Sequence, residues 1–130
     1  MTGRTLRTIG LGIGIGLGPL LAAACSGGEP PLALSPEAER GRTIAIDRGC
    51  SSCHGGDFAG GVAPSWIGLV GSDVPLPGGT TIVADREYVI ESIVDPDAVR
   101  RVGMTMPMPR VSLTDDEVRL IADYIVELGV

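Results

Sequence analysis

Cys50-Ser51-Ser52-Cys53-His54 is the stretch on which the reading of this chain turns. Two thiols separated by two residues, with an imidazole directly after the second, have the spacing of a covalent haem attachment site. At the end of a helix that spacing places both thiols where they can add to the two vinyl groups of a haem. The adjacent His is then held under the ring, its imidazole aimed at the iron. Other chemistries use the same residue types. A zinc site on Cys50, Cys53 and His54 wants a fourth ligand, but His54 is the only His and the third Cys, Cys25, is remote. A thioredoxin-like dithiol wants a βαβ setting, and the flanking sequence shows none. A plain disulfide between the two Cys would leave the interior empty. The expectation is one covalently bound haem c, with Cys50 and Cys53 as attachment points and His54 as an axial iron ligand.

The second axial ligand follows by elimination. All ten basic residues are Arg, so no Lys is available, and no second His exists. Met is the remaining strong class. Three Met lie in Gly103-Met104-Thr105-Met106-Pro107-Met108-Pro109-Arg110. Such a cluster on its own reads as core filler, but in an irregular Pro-containing loop a thioether can be carried to an iron. Met108 is the expected ligand, with Met106 the runner-up and Met104 behind them.

Around the motif the chain reads as three helices separated by Gly/Pro loops. Ser35-Pro36-Glu37 opens a helix with a capping side chain, a first-turn Pro and acids at the positive dipole end, running to about Arg48. Residues 55–81 are dense in Gly and Pro and read as a loop wrapped over something. Asp85 caps a second helix, which stops at Asp95-Pro96. Residues 97–113 are again irregular. Thr114-Asp115-Asp116-Glu117 fits a capping box, and Val118, Ile121, Ala122, Ile125 and Leu128 then recur at helical spacing. No strand alternation is evident, so the expected class is all-α.

Composition sets limits on function. The 130 residues allow one modest domain, and a formal charge of −6 disfavours nucleic acid as a partner. One Trp, two Tyr and one Phe are few for such a domain, and without a bound group the interior lacks large apolar volume. No acid/base pair or nucleophile constellation suggests catalysis, and no small-molecule substrate is expected. Asp115-Asp116-Glu117 is most simply a helix start. Arg100-Arg101, near the Met loop, could contact a haem propionate or a partner, or stand as a solvated pair.

Residues 1–24 read as an export signal: Arg4 and Arg7 precede the apolar run Ile9 to Ala24, which alternates with Gly. A retained anchor helix is the alternative, weakened by the Gly alternation and Pro19. Leu21-Ala22-Ala23-Ala24-Cys25 resembles the lipobox of bacterial lipoproteins, with Ala22 where Leu is usual, so Cys25 is expected to carry lipid. Residues 25–34 then form a flexible tether and 35–130 the folded domain. Removing residues 1–24 takes away two Arg and no acid, leaving eight Arg against sixteen acids, a charge of −8.

The folded region as a whole resembles the class I, mitochondrial-type monohaem cytochromes c. The likeness rests on Gly41, the Gly49–His54 run, Ala63-Pro64-Ser65-Trp66-Ile67-Gly68-Leu69, the Met-Pro loop and the last helix with Tyr124. It is closest to the cytochrome c domain at the C-terminus of some bacterial cytochrome oxidase subunit II chains. Those domains show a similar Gly-Leu-x-Gly-Ser, a Gly-Thr-Thr before an Asp-x-x-Tyr helix and a Ser-Ile-x-Asp-Pro, where this chain has Gly68-Leu69-Val70-Gly71-Ser72, Gly79-Thr80-Thr81, Asp85-Arg86-Glu87-Tyr88 and Ser92-Ile93-Val94-Asp95-Pro96. The resemblance implies a small three-helix-plus-loops fold wrapped around the haem. It implies that the Pro64 carbonyl takes the ring N–H of His54, that Gly41 packs closely against Tyr124, and that Trp66 lies at the haem edge. The Met loop departs from the family pattern, being shorter or shifted. The cupredoxin part of subunit II is absent, and one His cannot build its dinuclear copper site, so the expectation is a free-standing module.

The function expected is one-electron transfer in a respiratory chain of the cell envelope, between a donor complex and a terminal oxidase or similar acceptor. The chain would sit in the periplasm or at the outer face of the cytoplasmic membrane, held there by its lipid. A fixed haem subunit of a dehydrogenase or oxidase complex is the alternative. A haem enzyme or gas sensor with an open sixth position is a third. With no Lys ring, the redox partner's docking surface is expected to be basic or mainly apolar.

Overall fold

The computed structural model describes residues 33–129. The expected export signal, Cys25 and most of the expected tether lie outside them. Among the described residues no helix is long and apolar enough to cross a membrane.

Three helices stand where the sequence places them. α1 spans Pro36–Asp47, and the Ser35 hydroxyl caps it by accepting the Ala38 N–H at 3.1 Å. α3 spans Arg86–Val94, capped by Asp85, whose carboxylate takes the Tyr88 N–H at 2.7 Å. α4 spans Asp115–Glu127 and opens with both halves of the Thr114/Glu117 capping box. A further helical turn, α2 at Ser51–His54, carries the attachment motif. The all-α expectation needs one correction, because β1 (Asp73–Pro75) pairs antiparallel with β2 (Thr81–Val83), Val74 opposite Ile82. Strands of three residues are too short for alternation to register. The hairpin is nonetheless anchored, since Val74 is fully buried and the Gly71 N–H donates to Ala84 O at 2.8 Å.

α1 packs against α4 through Gly41. A Cβ there would overlap the backbone carbonyl of Leu120, so only Gly permits the approach. The nearest approach is to the Leu120 backbone, on the same helix as Tyr124. Arg48 on Glu117 at 2.5 Å ties the end of α1 to the start of α4, and Arg86 on Asp123 at 2.8 Å ties α3 to α4. The buried core is small: Ala38, Ala45, Ala84 and Ala122 are four of its thirteen apolar members, and Phe58, Trp66 and Tyr124 supply its only aromatic bulk.

Glu127 holds the first helix from the last. Its carboxylate accepts the Ser35 N–H at 2.8 Å and the Ser35 hydroxyl at 2.5 Å, and these bonds keep its pKa below the ordinary value. A carboxylate depressed by folding adds stability above its unfolded pKa of about 4.3 and loses it as pH falls through the lower folded value. Glu127→Gln should therefore melt below the parent at pH 7, with the gap narrowing as pH falls below the ordinary carboxylate value. Thermal melts of the two proteins at pH 7 and through the acid range check this, and a gap that does not change with pH would rule it out.

Candidate functional site

The motif sits on a single helical turn. The His54 N–H donates to Cys50 O at 3.0 Å and the Cys53 N–H to the same carbonyl at 3.2 Å, so the two thiols, three residues apart, share one side of the turn. Both are free, and burial pushes the Cys50 thiol pKa up. The following loop folds back over this turn. The Gly60 N–H reaches His54 O at 2.9 Å and the Ala63 N–H reaches Cys53 O at 3.0 Å. Gly61 passes so near that a Cβ would come within 2.7 Å of Cys53 O, and Gly60 beside it holds a φ of +103°, so each needs Gly for its own reason.

That loop delivers Pro64. His54 Nδ1 donates to the Pro64 carbonyl at 2.8 Å, which fixes the tautomer and leaves Nε2 with its lone pair as the ligand atom. Burial lowers the imidazole pKa, with the Pro64 bond acting the other way, so the ring is held neutral, as a metal ligand must be. Trp66 packs beside it with ring centroids 4.9 Å apart. Phe58 stacks on Trp66 at 4.3 Å, and Tyr124 meets both edge-on. Three of the chain's four aromatics thus back the imidazole. Phe58 adopts φ of +60°, uncommon for a bulky residue, and is held there between Gly55 O and the Trp66 N–H.

Cys53, His54, Pro64 and Trp66 line an open cleft. Tyr88, Val89, Ser92 and Ile93 form the α3 wall, and the irregular loop adds Met104, Met106 and Met108. Met106 is 59% exposed, whereas Met104 and Met108 are half-buried. The cleft is mainly apolar, with one ring nitrogen, three thioethers, and a thiol turn at its edge. Its wall also holds the only buried side-chain polar atom without a partner among the described residues, Ser92 Oγ. These features fit a large flat apolar group bearing a metal ion. They do not suit zinc, because no group of three or more His, Cys, Asp and Glu gathers among the described residues.

The family model for cytochrome c matches residues 38–129. The chain belongs to the cytochrome c family. A search of curated proteins finds no match. As a class I cytochrome c, the domain binds haem c, with the Cys50-to-His54 turn in the attachment region, and its work is electron transfer. Sequence reasoning placed Pro64 and Trp66 only through the resemblance, and the structure puts both against His54. It missed Phe58 and Ser92. A polar residue inside the Val89/Ile93 stripe of an amphipathic helix was the available signal for Ser92.

Proposed function

We propose that this cytochrome is a one-electron carrier of a bacterial respiratory chain, tethered in the cell envelope by lipid on Cys25. In this reading its haem domain is a counterpart of the cytochrome c domains of oxidase subunit II. Haem c would supply an iron that gains or loses one electron without binding a substrate, provided the protein fills its coordination. His54 would be one ligand. Met108 would be the other: it lines the same cleft and, like Met104, is half-buried, while Met106 stands largely in solvent. The single observation that carries the reading is that an imidazole and a thioether line one apolar cleft. Tethering raises the effective concentration near membrane partners. Val62 and Met106, 66% and 59% exposed, give the cleft an apolar rim suited to brief docking.

The test is spectroscopic. Met108→Ala should abolish the far-red sulfur-to-iron band of the oxidised protein and open the ferrous iron to rapid CO binding, whereas Met106→Ala and Met104→Ala should leave both unchanged. Loss of the band in Met106→Ala instead would reassign the ligand. Rapid CO binding by the parent would replace the carrier reading with an open-site haem protein.

A further inference from the structure

The cleft is electrically unlike the rest of the chain. Sixteen acids are present in the sequence, yet none lines the cleft, and its only charged side chains are the adjacent Arg100 and Arg101. Among the other described arginines, Arg42, Arg48, Arg86, Arg110 and Arg119 each pair with a carboxylate, Arg110 with Asp95, and only Arg40, fully on the exposed side of α1, does not. Arg100 and Arg101 have no such partner among the described residues, although the surface is rich in acids. Arg101 is half-buried and Arg100 exposed. The segment is pinned immediately afterwards, where the Val102 N–H donates to Pro75 O of β1 at 2.9 Å. The hairpin thereby fixes two cations at the wall of an apolar cleft.

Half-buried guanidinium beside apolar surface is costly without an anion, and carboxylate pairs best with the Arg fork. We propose that Arg100 and Arg101 are the counterions of the two haem carboxylates, with Arg101 the inner partner and Arg100 the outer. The proposal rests on the haem reading of the cleft. Reduction adds one electron near these groups, so a neighbouring cation favours the reduced state. The arginine pair therefore raises the reduction potential, and Pro75 positions the pair through the Val102 amide.

The experiment uses the full-length chain matured with haem and measures midpoint potential by spectroelectrochemistry. Arg100→Gln, Arg101→Gln and the double variant should all fall in potential, the double by about tenfold in the one-electron equilibrium constant, or 59 mV. Arg101→Lys keeps the charge and should recover most of the fall. Arg40→Gln removes the same charge from the outer side of α1 and should shift little. The Arg101→Gln shift should persist in 1 M salt, where the screening length is about 3 Å. Cleft variants that move the potential no further than Arg40→Gln, or whose shift vanishes in salt, overturn the proposal and leave the pair to a solvent or partner role. Pyridine haemochrome assays of each variant separate the two readings. Covalent haem with an unmoved potential overturns the counterion role alone, whereas a parent chain that takes up no haem overturns both.

Discussion

Replacing Cys50 and Cys53 together by Ala is expected to cost the domain its cooperative fold. The double variant cannot hold haem covalently, and the cleft walls then face water or an empty space. The polypeptide has little to set against that loss. Its thirteen buried apolar residues include four Ala, and α3, with nine residues, is shorter than the ~12–15 at which an isolated helix becomes even marginal. A domain of this size is marginal on side-chain burial alone. α3 turns Tyr88, Val89, Ser92 and Ile93 into the cleft, and the 55–66 loop is ordered largely by its bonds to the attachment turn. Both lose their packing partner with the haem. Far-ultraviolet circular dichroism of the variant should show a large fall in helix, and melting should be broad or absent. A sharp transition within a few degrees of the holoprotein would show that the protein core suffices and would overturn this account.

Gly41→Val should be the most damaging single change outside the haem site. The obstacle is the Leu120 carbonyl, a backbone group in the middle of α4, which no rotamer change can move. The two helices must separate, and with them the Arg48–Glu117 and Ser35–Glu127 ties at either end of the α1/α4 contact. Overpacking costs typically 1–3 kcal/mol where side chains can yield. Here about 3 kcal/mol or more is expected, a fall in Tm of more than ~10 °C for a domain of this size. Gly41→Ala should already show a substantial part of the loss, since the overlap begins at the Cβ. Differential scanning calorimetry of both variants measures it, and a near-native Tm for Gly41→Val would mean that the helices can part without penalty.

What could be read in advance divides along physical lines. Helix starts announce themselves locally, because Ser35, Asp85 and Thr114 each satisfy amides two or three residues on, and all three caps are formed. The attachment turn was legible because its spacing is dictated by the group it meets. The β1/β2 hairpin was not, since its pairing depends on Val74 finding a buried place that only the assembled fold provides. Gly41 was placed on the right pair of helices, but the Leu120 carbonyl that it meets was not foreseen, because sequence gives the need for a small residue and not its register. The Met choice stayed open in the sequence for a similar reason. Met104, Met106 and Met108 are chemically equal, and exposure, a property of how the loop lies on the cleft, sets Met106 apart from the other two.

The clasp between Ser35 and Glu127 gives the domain a single doorway. The chain enters the fold and leaves it at adjoining points, with the cleft built from the sequence between them. Extensions at either end can be lengthened, shortened or fused to another protein without being threaded past the haem. Such an arrangement makes a redox unit that evolution can hang on a lipid, a helix or a larger enzyme alike.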